Sequence, residues 1–130
     1  TKSVSQQAHF SEVKDFLYEP NAALMKSGLF DWISTEYNIS KLHSNSHLYT
    51  SDKLIGFPGR RFKVTDSFLF SKKILTKRWG NKKAHVTTRN FKTSVEELRK
   101  KFKIKDGGDT YLFFTTNIEN KLVVLVCTKA

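Results

Sequence analysis

The stretch from Ala84 to Asp109, AHVTTRNFKTSVEELRKKFKIKDGGD, reads as a strand, a capped basic helix and a turn. Ala84-His85-Val86-Thr87-Thr88 is short and β-branched, the composition of a strand. Ser94-Val95-Glu96-Glu97 matches a capping box, in which the Ser94 hydroxyl accepts an early helix N–H and Glu97 reaches back. Val95, Leu98 and Phe102 recur at i, i+3 and i+7 and form one apolar stripe that faces a core. Arg99, Lys100, Lys101 and Lys103 occupy much of the remaining surface. Gly107-Gly108 is the expected helix stop. Carboxylates in the first turn and cations in the last also suit the helix dipole. The helix is expected to dock by one face and to show positive charge on another.

Outward from this stretch the pattern stays regular. Arg61-Phe62-Lys63-Val64-Thr65-Asp66 alternates like a strand with one wet face. Ser71 is placed to cap a helix through Trp79, with Ile74, Leu75 and Trp79 inward and Lys72, Lys73, Lys77 and Arg78 outward. Thr110–Thr116 and Leu122–Thr128 are apolar strands about the polar loop 117–121, a hairpin. The order β-α-β-α-β-β predicts an α/β domain over 60–130, a mixed sheet with two basic helices packed on it.

Residues 1–59 read as a smaller, mainly helical unit. Thr1–Ala8 is polar and expected to fray. Val13–Tyr18 suits a short strand or an entry segment. Asn21 caps a helix over 22–26 that Gly28 ends or bends. Leu29–Tyr37 resumes the helix with Leu29, Trp32 and Ile33 on its apolar side. Residues 38–46 form a loop, and Leu48-Tyr49-Thr50 a short strand.

Charge narrows the function. Between Arg60 and Lys105 there are 16 Lys and Arg against Asp66, Glu96 and Glu97, a net +13; the rest of the chain carries −2, which makes the +11 of the whole. Positive charge confined to one half of a domain calls for phosphate or another acidic partner. Arg89, Asn90, Lys92 and the hydroxyls of Thr93 and Ser94 fall at a helix N-terminus, a suitable place for a phosphate. Arg99, Lys100 and Lys103 are placed to track a nucleic-acid backbone. Arg60, Arg61, Lys72, Lys73, Lys77, Arg78, Lys82 and Lys83 widen that footprint. Phe91, Trp79 and His85 are candidates for base stacking, with core packing as the competing role.

Catalytic chemistry is hard to find. Glu96 and Glu97 are adjacent on a helix and diverge by about 100°, so they make no acid–base pair. His43 and His47 are four apart near Asp52, but Ser44-Asn45-Ser46 between them reads as loop, and structural or hydrogen-bonding roles suit them better than a metal. Cys127 lies in an apolar strand and reads as a small buried hydrophobe; as the one cysteine it excludes an internal disulfide and fits a reducing cytoplasm. No run approaches the roughly 18 apolar residues of a membrane span, and no signal peptide is visible. The opening Thr1, with no initiator Met, reads as a piece of something longer.

Three runs in order resemble a known family: Tyr18-Glu19-Pro20-Asn21-Ala22-Ala23 with Lys26-Ser27-Gly28; Lys41-Leu42-His43-Ser44-Asn45-Ser46-His47-Leu48-Tyr49-Thr50-Ser51; and Thr88-Arg89-Asn90-Phe91 followed by Val95 to Gly108. Together they look like the C-terminal region of bacterial class I S-adenosylmethionine-dependent methyltransferases that carry a THUMP-like domain behind a small ferredoxin-like or linker unit. The resemblance covers the chain from about residue 9 onward. It implies a docking role on structured RNA, tRNA or rRNA, with S-adenosylmethionine held by a catalytic domain upstream. The Gly-rich loop such a domain needs is missing here, and Gly107-Gly108 lacks the G-x-G-x-x-G spacing. This stretch by itself is therefore expected to bind no cofactor and to be non-catalytic. The competing reading is an interaction module that packs on its own catalytic domain, or on a protein partner, and never touches RNA.

Overall fold

The computed structural model describes residues 9–130; the fraying expected of Thr1–Ala8 lies outside them. The elements in chain order are β1 (His9–Phe10), β2 (Phe16–Pro20), α1 (Ala22–Ser27), α2 (Phe30–Tyr37), β3 (Ser40–Lys41), β4 (Tyr49–Ser51), β5 (Gly59–Leu69), α3 (Lys72–Trp79), β6 (His85–Arg89), α4 (Val95–Phe102), β7 (Tyr111–Thr116) and β8 (Leu122–Lys129). All the strands join one mixed sheet in the order β1-β3-β4-β2-β5-β8-β7-β6. The α/β class and the β-α-β-α-β-β order from β5 onward agree with the sequence pattern. The first 59 residues differ in balance. Besides two helices, the described residues 9–58 supply four short strands, one of them, β3, inside the segment expected to be loop.

Strand β5 explains how one sheet serves both parts. Its first half pairs antiparallel with β2, and from Phe62 onward it pairs with β8. A register shift between Val64 and Asp66 bends it where the partner changes. Gly59 begins the strand opposite Pro20, and a Cβ there would lie 2.1 Å from the Glu19 carbonyl oxygen. Only glycine allows β2 to come so close.

The bend folds the sheet back over itself. One face, through Leu75, Trp79, Leu98, Phe102, Leu112 and Phe114, is covered by α3 and α4. The other is covered by the N-terminal part, where Leu17, Leu42 and Leu48 meet Phe62, Phe113, Leu125 and Cys127. Burial raises the Cys127 thiol to about 12, so it stays protonated and behaves as the hydrophobe its strand suggests. In α2 only part of the expected stripe turns inward: Ile33 is buried, whereas Leu29 and Trp32 are exposed. In α3, Leu75 and Trp79 are buried and Ile74 is exposed.

Candidate nucleic-acid interface

Both basic helices are specified locally. The Ser71 hydroxyl accepts from Ile74 N–H (3.2 Å) and that of Ser94 from Glu97 N–H (3.2 Å). Each helix is eight residues long and sends its apolar stripe, Leu75 and Trp79 or Leu98 and Phe102, into the sheet. Their backs are left in water. The helices touch, and Lys72 at the start of α3 comes within hydrogen-bonding reach of Lys101 near the end of α4. That neighbour holds the Lys101 pKa below its ordinary value; Lys92 acts in the same direction and Glu97 against it. Lys72, Lys73, Lys77, Lys82, Lys83, Lys92, Lys100, Lys101 and Lys103 are all exposed. None of these lysines makes an ion pair among the described residues.

The arginines are used differently: every one is engaged by the protein itself. Glu19, buried on β2, receives Arg60 at 2.6 Å and Arg89 at 2.5 Å, so a single carboxylate ties β2, β5 and β6 together. Arg61 donates to the Ile55 carbonyl (3.1 Å). Arg78 pairs with Asp66 (2.7 Å) and lies over the Trp79 ring (4.4 Å); its hydrogen bond is the main reason the Asp66 carboxyl is held below its usual value. Arg99 donates to the carbonyls of Ala84 and Ile104 and pairs with Asp106 (3.1 Å). A guanidinium fork is suited to such fixed, directional work, whereas an ammonium on a flexible stem gives a diffuse field.

Several expected site residues therefore carry a structural role. Arg99, which the sequence places to track a backbone, clamps the end of α4 to the following loop. Arg89 and Asn90 join the two parts of the chain: Asn90 reaches His43 (Nδ2 to Nδ1, 3.3 Å), and its carbonyl accepts from the Thr116 hydroxyl (2.6 Å). The N-terminus of α4 is filled from within, because the Ser94 hydroxyl donates to the Glu97 carboxylate (3.1 Å) and two carboxylates occupy the first turn. The helix stop also moves. Lys103, at φ 55°, is the left-handed C-cap, and its N–H returns to the Arg99 carbonyl. Gly107 and Gly108 instead turn the chain against Lys83 toward β7.

The rings follow the packing alternative. Phe91 lies edge-on to Phe70 and Phe114, and Trp79 stacks on Phe68. His85 stacks on Tyr111 and meets the Gly108 carbonyl (2.9 Å). His43 and His47 go separate ways, the first to Asn120 (2.6 Å) and the second onto the Phe30 ring. Two residues escaped sequence reasoning. Lys101 matters through its meeting with Lys72, a contact between helices that no local pattern announces. Glu19 lies just past the expected strand Val13–Tyr18, where no local pattern announces its two arginine partners.

Because Arg99 is a structural clamp, Arg99→Gln is expected to lower stability by about 2 kcal/mol, the scale of hydrogen bonds to a charged group. Lys103→Gln, at an exposed site, is expected to change it by about 0.5 kcal/mol or less. Urea unfolding of both variants compares them directly.

Comparison with known proteins agrees with this geometry. Residues 16–58 match the model of a ferredoxin-like domain. A crystal structure of a "putative methyltransferase" from Porphyromonas gingivalis W83 superposes with a TM-score of 0.86 at 35% identity. The match takes in 95% of this chain and 31% of that protein, so the chain spans about a third of its length. A search of curated proteins finds no significant match. Residues 59–129, the sheet-and-helix part that carries the lysine face, match the model described as THUMP domain-like, and the chain belongs to that family.

Proposed function

We propose that this chain is the non-catalytic RNA-docking region of an RNA methyltransferase, with residues 1–59 as a supporting unit and 60–130 as the docking domain. The observation that carries the reading is the division of labour among cations. Every arginine is engaged within the protein, while the lysines on α3, α4 and their flanking loops stand exposed and without an ion pair among the described residues. Such a surface attracts polyanions without reading their sequence. Selectivity for a structured RNA, tRNA or rRNA, would come from its shape. Family membership and the likeness to the Porphyromonas protein support the wider assignment. S-adenosylmethionine and the transfer chemistry belong in this reading to a catalytic domain upstream, and no residue here is given a catalytic or metal-binding role.

The footprint centres on Lys72, Lys92 and Lys101, flanked by Lys73, Lys77, Lys82, Lys83, Lys100 and Lys103. Changing Lys72, Lys92 and Lys101 together to Gln is expected to weaken binding of a structured RNA roughly 100-fold near 0.1 M salt. The same change should flatten the slope of log affinity against log salt by about 2 to 3, using about 0.7 to 0.9 per phosphate. Filter binding across a salt series measures both. Unchanged affinity and slope would leave the lysines as a solvated face. The alternative would then hold: a module that packs on its own catalytic domain or a protein partner without RNA contact.

A further inference from the structure

Away from the lysine face, Gly28 at the end of the first family run, Leu29 to Trp32 after it, and Lys41, Ser44 and His47 of the second run line a cleft of about 360 Å³ on the N-terminal part. Lys41 is its unusual member, at 2% exposure. Its ammonium donates to the Ser44 carbonyl (2.9 Å), lies 3.4 Å from His47 Nδ1 and sits over the Phe30 ring (5.4 Å), but it makes no ion pair among the described residues. Buried charges in folded proteins are normally paired, because leaving water is costly. Asp31 is felt at longer range and only partly offsets burial, so the Lys41 pKa is held below the usual lysine value.

The chemistry around this charge favours an acceptor. As a donor to Nδ1, Lys41 leaves the neutral His47 proton on Nε2, and the His47 pKa is itself lowered, first by burial and then by Lys41 and Arg89. Ser44 also lines the cleft wall. With one cation opposed by Asp31, a monoanion balances better than a dianion. Beside these donors, Leu29 (53% exposed) and Trp32 (36%), which meets Tyr37 edge-on, offer exposed apolar surface.

We infer that this cleft is a binding site for a small monoanion carried on a flat apolar group, with its oxygens on Lys41 and its ring against Trp32. An aromatic carboxylate and a phosphodiester that carries a nucleobase share that chemistry, since each bears one negative charge at pH 7. The inference does not rest on the RNA reading, since the cleft is lined by none of the docking lysines.

The test is an NMR titration of the chain with benzoate, adenosine 3′,5′-cyclic monophosphate and chloride, following the Trp32 indole and His47 ring signals. Binding of benzoate or the nucleotide is expected to saturate at about 1 mM, typical of so small a ligand. Saturation by only one of them supports the site and identifies its source. Lys41→Met should weaken that binding at least tenfold. This variant should remain folded, because an apolar side chain of similar length replaces a buried cation. Its melting temperature at pH 7 should equal or exceed that of the parent. Since folding lowers the Lys41 pKa, the parent's handicap is full below the folded value and vanishes as pH rises past the unfolded one, about 10.5. Any gap in melting temperature should therefore close toward that pH. Should Lys41→Met not fold, Trp32→Ala at an exposed position replaces it and should weaken binding of both ring-bearing probes. Absence of saturation with both probes, equal binding by the variant, or the same shifts from chloride would overturn the site.

Discussion

Glu19→Ala is expected to lower the stability of the fold by about 3 kcal/mol, with a fall in Tm of roughly 10 °C for a chain of this length. The carboxylate is 6% exposed and holds both Arg60 and Arg89. Removing it leaves two guanidinium groups facing each other without a counter-charge. Arg89 suffers more, because it is the less exposed of the two and its Nε already lacks a hydrogen-bond partner. The change also releases a link that the backbone does not supply. In the sheet, β2 and β6 are separated by β5, β8 and β7, and the Glu19–Arg89 pair bridges them directly. Arg60→Ala should cost less, about 1 kcal/mol, because that side chain is half exposed and water screens its charge. Thermal and urea unfolding of the variants measure both. A Glu19→Ala loss within 0.5 kcal/mol would mean that the curled sheet is held by its apolar layer alone.

This pair marks the limit of what could be read from the residues. Elements from β5 onward were legible because their signals are local: Ser71 and Ser94 as caps, two apolar helical stripes, and the polar hairpin loop between β7 and β8. The N-terminal strands were harder to see. β1 and β3 have two residues each and exist only because partners complete their hydrogen bonds. The candidate site was half legible for a related reason. A basic residue in a helix gives no local sign of whether it faces water or reaches a carbonyl several residues away. Arg99 and Lys100 are neighbours in one helix, yet the first is clamped to Asp106 and two carbonyls while the second is free. Residue type was the better guide than position. Arginine's rigid, multiply donating head favours fixed partners, and from β5 onward it separates the cations bound to carboxylates or carbonyls from the rest more cleanly than the helical pattern does.

The same sorting gives the largest expected effect. Phe114→Ala should lower stability by about 4 kcal/mol, or roughly 15 °C in Tm, through the cavity left at a site that cannot collapse. Phe114 is fully buried on β7, with β6 and β8 on either side. Its ring meets Phe91 (5.5 Å) and Phe70 (6.2 Å) edge-on, within the same apolar layer as Leu75 of α3 and Leu98 and Phe102 of α4. Both lysine-bearing helices rest on that layer, so the exposed charges are positioned by it. Phe114→Leu keeps most of the volume and loses the ring edges, and should cost about 1.5 kcal/mol. The pair separates two ways of losing RNA binding. At a temperature where Phe114→Ala is largely unfolded, it should lose affinity and recover it on cooling, with the salt slope of the parent. The triple lysine variant should stay folded throughout and show the flattened slope at every temperature. If Phe114→Ala retained full affinity while unfolded by circular dichroism, the lysines would act as a disordered polycation, and the arrangement of α3 and α4 would be irrelevant to docking.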